Sequence, residues 1–265
     1  MTLSEETLNN RKFMHCPPFE KAMEESDQSK GQTHPPHAKI IEDLDEADVI
    51  ILPPFEAMDD GIVTCDSYST LLDVRRSKRA YLDLAMTQAQ LAFMLWSAIG
   101  IQEFRGVNDA ASLRPSPSGG ARHPFNLYVA VRNVEGLQPG LYLYLPLLNV
   151  GEKRVSIVRI SNIDDYPQTM NDMMVGQRWT TKAPVVIMVT CDAYRAEWRY
   201  GTAAHRVMLI DLGHLGQNLM LSATSMGLGS CCLAAYSQDL CDKALGVDGV
   251  NEYTVYAVSA GKSRD

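Results

Sequence analysis

Five consecutive residues, Arg75-Arg76-Ser77-Lys78-Arg79, put four cations and a hydroxyl side by side in a chain whose formal net charge is -8. Such a block repels itself unless an anion compensates it. The planar arginine fork matches phosphate oxygens, and serine adds one small donor. A solvated basic turn beside a helix is the plainer reading of a lone cluster. Three later stretches favour a phosphate site: Arg114-Pro115-Ser116-Pro117-Ser118-Gly119-Gly120, the long segment from His205 to Gly229, and Gly261-Lys262-Ser263-Arg264. Each supplies one possible wall of a single site for a phosphate-bearing cofactor.

Other chemistries are weaker. Asp211-x-x-His214 places a carboxylate and an imidazole on one helix face, but metal sites built this way need a second such pair. A buried Asp–His hydrogen bond or an interface pair is the expectation instead, and no metal is expected. In His34-Pro-Pro-His37 the prolines hold the backbone open and no third ligand lies nearby, which predicts a loop. Cys231 and Cys232 have no evident base to activate them. Gly227-x-Gly229 follows a helix, whereas a dinucleotide fingerprint follows a strand. There is no GxSxG and no P-loop motif. A flavin mononucleotide site remains: Arg75, Arg79, Lys262 and Arg264 supply cations for its phosphate, and a positive group near N1 and O2 stabilises the reduced ring.

The bulk properties limit the alternatives. With 265 residues the chain has room for one large domain or for one domain with an ordered extension. The acidic balance argues against general nucleic-acid binding. Six cysteines without CxxC or zinc-like spacing suggest reduced thiols and a cytoplasmic setting. Met1–Asn10 has neither a basic nor an apolar leader region. Val207 to Ala235 is mostly apolar, but Asp211, His214, Gln217 and Asn218 interrupt it, so no membrane span is expected.

The elements that must position these residues follow from periodicity. Residues 1–60, with three proline pairs, read as an extended arm pinned by Ile50-Ile51-Leu52 and Phe55, wrapping a neighbour; residues 61–265 read as the main domain. A short helix from Ser67 to Val74 runs into the basic block, and residues 101–111 read as a loop. Thr87 caps a helix in which Leu91, Met94, Leu95, Ala98 and Ile99 share a face and Gly100 is the stop. Strands are predicted at 125–132, 140–145 and 154–160, an antiparallel meander. A helix with a methionine stripe follows at 164–176. Ala183 to Cys191 is a continuous apolar strand covered on both faces, and 192–200 is a connector. One long helix spans 202–226. Its Gly213 and Gly216 suggest close approach of another backbone, such as a symmetric partner helix. A short helix at 239–245 and a last strand at 253–260 complete the chain.

Several segments, in order, resemble the nitroreductase superfamily of flavoproteins, in its SagB-type, azoline-dehydrogenase-like branch. They are Arg75–Arg79, Leu95–Gly100, Arg114–Pro124, Glu135–Tyr144, Arg199-Tyr200-Gly201, Asp211–Asn218, Gly227-Leu228-Gly229 and Gly261-Lys262. The resemblance covers roughly residues 68–264. It implies an α+β nitroreductase-like fold with a mostly antiparallel sheet flanked by helices. It also implies an intertwined homodimer built on the long helix, with FMN at the interface. By that resemblance Arg75, Arg76, Ser77 and Arg79 hold the phosphate, the ribityl chain and the N1/O2 edge, and Lys262 and Arg264 complete the phosphate grip. Pro115, Ser116, Ser118 and Gly119 reach the flavin from the partner, and Leu228 and Gly229 offer main-chain groups. The implied function is an FMN-dependent oxidoreductase passing hydride from NADH or NADPH to a small acceptor such as a nitroaromatic or quinone. Alternatives are a dehydrogenase oxidising a peptide or small metabolite, and a flavin-binding protein without turnover. Two departures stand out. Asp211 replaces the family's glutamate, and Arg199-Tyr200 replaces the lysine–tyrosine pair of the azoline-oxidising members. Arginine is no base at neutral pH, so azoline oxidation by that route is not expected. Arg199 and Tyr200 are the catalytic candidates, with Trp179 and Trp198 as pocket walls.

Overall fold

The computed structural model describes residues 3–55 and 61–264.

 The boundary expected at residue 60, and the first two residues of the stretch read for a leader, fall outside them.

In chain order the elements are α1 (Glu5–Phe13), α2 (Phe19–Glu24), β1 (Val49–Ile51), α3 (Tyr68–Val74), α4 (Gln88–Ile99), β2 (Glu103–Arg105), β3 (Ala111–Leu113), β4 (Phe125–Val131), β5 (Gly140–Tyr144) and β6 (Ser156–Ser161). They continue with α5 (Tyr166–Met173), β7 (Val185–Asp192), α6 (Tyr194–Tyr200), α7 (Ala204–Ser225), β8 (Gly229–Leu233), α8 (Gln238–Leu245) and β9 (Glu252–Gly261).

Local chemistry sets the helix ends. Ser67 caps α3 by accepting from Thr70 N. Thr87 and Gln90 form a reciprocal capping box on α4, satisfying two otherwise unpaired amides. Seven strands form one sheet in the order β1-β6-β5-β4-β7-β9-β8, and each neighbouring pair is antiparallel. The meander β4-β5-β6 is as expected. All of β4 is buried, because helices cover both faces of the sheet. One face packs against α4 and α7, with Leu91, Leu95, Leu215 and Leu219 in its core. The other carries Met170, Met173 and Met174 beside Cys241 and Leu245 of α8, so the methionine stripe is core filling.

Three local expectations differ from the structure. The segment before residue 60 is not extended throughout: it contains α1 and α2, and β1 adds an edge strand to β6 while Leu52 and Phe55 enter the main core. The expected loop at 101–111 carries β2, which pairs with β3. The connector after β7 is the helix α6. The run after Gly227, for which the sequence predicts no element, holds the strand β8, whose short Gly-Ser-Cys-Cys-Leu sequence has no clear period of its own. Gly216 is also used differently. A Cβ there would lie 2.9 Å from the Tyr256 ring, so its missing side chain admits β9 of the same chain. Gly213 is exposed, with nothing within 4 Å of such a Cβ.

Candidate functional site

The basic block leaves α3 as a strap along the sheet edge. Lys78 N donates to Ser230 O at 2.9 Å, Leu82 N to Lys262 O at 2.8 Å, and Arg264 N to Ala80 O at 2.8 Å. The Tyr81 hydroxyl anchors the strap from below, 2.8 Å from Ser259 Oγ and 3.1 Å from Lys78 O. Gly229 permits this closeness, since a Cβ there would lie 2.6 Å from the Ser263 side chain and 2.8 Å from Lys78 Cβ. Thus Arg75–Arg79, Leu228-Gly229 and Lys262–Arg264, distant in sequence, share one sheet edge.

The cations divide between two faces of that edge. Successive strand residues point to opposite faces. Cys232 faces Gly216 of α7, and Arg75 acts electrostatically on it; Arg79 reaches Cys231, the adjacent residue. Burial raises both thiols above their ordinary value, with the arginines opposing the rise. Neither cysteine is therefore an activated nucleophile. Lys262 Nζ donates to Gly227 O at 3.1 Å, at the C-terminal end of α7. Arg79 and Arg264 instead line a cleft with Arg178, Trp179 and Lys182. Among the described residues none of Arg75, Arg76, Arg79, Lys262 or Arg264 has a carboxylate within salt-bridge distance. A set of cations without carboxylate partners suits a phosphate ester, so the residues present fit FMN's phosphate.

The Ser/Gly/Pro loop lies elsewhere in the chain, against α7. Ser118 Oγ donates to Asp211 Oδ2 at 2.6 Å, and Gly119 N reaches both carboxylate oxygens at 3.0 and 3.1 Å. Ser118 Oγ also accepts from His123 N. The donors of Ser118 and Gly119 are therefore engaged within the chain. Ser116 Oγ accepts from Asn218, and Pro115 lines a groove with Leu71, Phe93 and Ser222. Burial raises the Asp211 carboxyl, against the lowering by Ser118 and Gly119. The expected Asp211–His214 hydrogen bond does not form: His214 is exposed and Asp211 turns to the loop. This aspartate is the brace that sets the loop's position.

Arg199 and Tyr200, at the end of α6, meet the same loop. A Cβ on Gly120, whose φ is +58°, would lie 2.4 Å from Arg199 Cδ and Nε and 2.8 Å from the Tyr200 hydroxyl. Arg199 lies over the Tyr200 ring at 5.6 Å and donates to Gln28 Oε1 at 3.0 Å. Phe19 of α2 packs edge-on to Tyr200, 5.9 Å between ring centres. Gln28 and Phe19 had no signal in the sequence, because nothing local ties residues 19–32 to a helix 170 positions later. Trp198 is a packing residue: it is buried, stacks under Arg122 at 4.6 Å and donates to Gln32 O at 3.0 Å. Trp179 lines a cleft with Arg79 and Arg178 in which Tyr200 and Trp198 take no part.

His34 and His37 bind main-chain oxygens, of Asn108 at 2.9 Å and Asp109 at 2.6 Å, which makes them loop fasteners. Among the described residues no three His, Cys, Asp or Glu are grouped to hold a metal ion, and no helix is long and apolar enough to cross a membrane.

Comparison with known proteins agrees with this arrangement. The nitroreductase family matches residues 72–262. A nitroreductase-like protein of Methanocaldococcus jannaschii is 30% identical over 188 residues, covering 71% of this chain and 87% of its own. The microcin B17-processing protein McbC of Escherichia coli is 26% identical over 153 residues, covering 56% of this chain and 54% of its own. The crystal structure of an Anabaena variabilis protein described as a nitroreductase superimposes with a TM-score of 0.57 at 27% identity, covering 74% of this chain and 38% of that one. The ordered motifs, the sheet with its long helix and this match over most of the chain together show that it belongs to the nitroreductase family.

Proposed function

We propose that the chain is an FMN-dependent oxidoreductase that passes hydride from NAD(P)H to a small acceptor such as a nitroaromatic or a quinone. The observation that carries this reading is the set of cations Arg75, Arg76, Arg79, Lys262 and Arg264, gathered on one sheet edge without carboxylate partners. When bound, FMN supplies the centre that accepts and returns a hydride. Arg75, Arg76 and Lys262 bind its phosphate and Ser77 its ribityl chain. Arg79 stabilises negative charge at the N1/O2 edge. Leu228 and Gly229 present main chain beside the ring.

The reading includes a homodimer. Leu209, Ile210 and Gly213 leave an apolar stripe of α7 exposed, at 53% for Leu209 and 46% for Ile210. A second α7 covering that stripe would bring the partner's Pro115–Gly119 loop to the flavin. There Tyr200 holds a proton at its hydroxyl, and Arg199, fixed by Gln28, orients an anionic part of the substrate. Phe19 and Gln28 cover this pair from the N-terminal extension, assigned to residues 1–60, with 61–265 as the flavin domain; the protein works in the cytoplasm. The similarity to McbC supports a second reading, a dehydrogenase that oxidises a peptide or small metabolite.

The test is an absorbance spectrum of purified protein, before and after adding NADPH without oxygen. A flavin spectrum that bleaches is expected for wild type, and Arg75→Ala should lose the flavin. A flavin that persists with NADPH moves the assignment to the dehydrogenase. Full FMN occupancy in Arg75→Ala refutes the phosphate assignment.

A further inference from the structure

The cleft on the far side of the strap holds more positive charge than one flavin phosphate needs. It has a volume of about 300 Å³ and is lined by Arg79, Arg178, Lys182, Arg264, Trp179 and Tyr81. Arg178 and Lys182 come from a short turn after α5, unrelated in sequence to the strap. None of the four cations has a carboxylate partner among the described residues. Asp83, close to the strap, is taken by Arg132 at 2.9 Å. The Trp179 indole nitrogen is buried without a hydrogen-bond partner, and Arg79 covers the ring at 5.5 Å. Four cations without carboxylate partners around one cleft point to an anionic ligand.

The nature of the ligand follows from charge and exposure. A phosphate monoester carries about -1.5 to -2 charges at neutral pH. Arg75, Arg76 and Lys262 on the other side suffice for that. The exposure of Arg79, Arg178, Lys182 and Arg264 leaves the cleft open to a ligand that enters and leaves. In a chain of net charge -8, a polyanion also needs a local positive field to approach. We propose that this cleft is a second phosphate subsite, which takes the diphosphate of the nicotinamide dinucleotide. The assignment rests on the oxidoreductase reading above. Trp179 walls the subsite beneath Arg79, while Arg178 and Lys182 add charge, and Arg79 and Arg264 link the subsite to the flavin site.

The test uses FMN-loaded Arg178→Ala/Lys182→Ala protein, since neither residue belongs to the flavin set. Calorimetric titration with NADP+ and with NAD+ should show a Kd raised about tenfold for both, roughly 1.4 kcal/mol. KM for NADPH should rise with it, while kcat and the FMN-to-protein ratio stay unchanged. The salt dependence of NADP+ binding should also become shallower. An unchanged Kd overturns the proposal, and so does loss of FMN, which would assign the cleft to the flavin's phosphate. If wild type is not reduced by NADPH, the oxidoreductase reading fails by itself. The titrations of wild type and variant still decide whether the cleft binds the dinucleotide.

Discussion

Substituting Gly120 by alanine tests the contact that joins the loop to the Arg199–Tyr200 pair. At φ +58° the left-handed backbone costs a non-glycine residue about 1–2 kcal/mol. The new Cβ would fall 2.4 Å from Arg199 Cδ and Nε, which lie mid-chain and are held by Gln28, and 2.8 Å from the Tyr200 hydroxyl. Overpacking of this kind costs about 1–3 kcal/mol. The stiffer unfolded chain returns about 0.4–1 kcal/mol. The net loss is centred near ~3 kcal/mol, which lowers Tm by roughly 6–12 °C in a protein of this size. The assay is thermal unfolding at fixed protein and FMN concentration, because ligand and partner concentrations both shift Tm. Arg199→Ala in the same background removes the main clash, so the double variant should be more stable than the sum of the single effects by about 1–2 kcal/mol. Additivity within about 0.5 kcal/mol would refute the contact, and an unchanged Tm for Gly120→Ala would refute both the strain and the overlap.

Three further outcomes follow from the structure. Gly213→Glu puts a charge into the exposed apolar stripe of α7 and should convert the dimer to a monomer in light scattering; an unchanged dimer mass removes that stripe from the interface. Ser118→Ala deletes a 2.6 Å donor to the buried Asp211 and should cost about 1.5–3 kcal/mol in urea unfolding, with no effect expected only if the carboxylate is served elsewhere. Burial lowers the His123 imidazole to about 3, so the folded chain keeps it neutral while the unfolded chain protonates it below its ordinary 6.5. Its contribution is full above that value and is lost as pH falls towards 3, about 2 kcal/mol between pH 7 and 5. His123→Asn should flatten this pH dependence, and an unaltered slope would show that His123 does not titrate with unfolding. His37, lowered to about 4 by burial, keeps part of the slope in that variant.

Long elements were legible where packing and local propensity agree. Thr87 through Gly100 reads as a capped amphipathic helix, and α4 follows it residue for residue because capping and the apolar stripe are both local properties. The apolar run at β7 reads as a covered strand, since seven of its eight residues are buried. β8 and α6 were not legible. β8 is short and follows a helix end, and it becomes a strand only because β9 pairs with it. α6 begins without a side-chain cap and is held by contacts with α7 and α2.

By itself the sequence determined the main helices, the meander and the residue types able to bind a phosphate, because periodicity, caps and donor chemistry act within a few neighbouring positions. Only the tertiary structure decided how those residues are shared out. It placed Arg75 and Arg79 on opposite faces of one edge, tied Ser118 and Gly119 to Asp211, and brought Gln28 to Arg199. Those outcomes depend on strand pairing and chain crossing between residues far apart, and no local preference encodes which distant partner a side chain will meet.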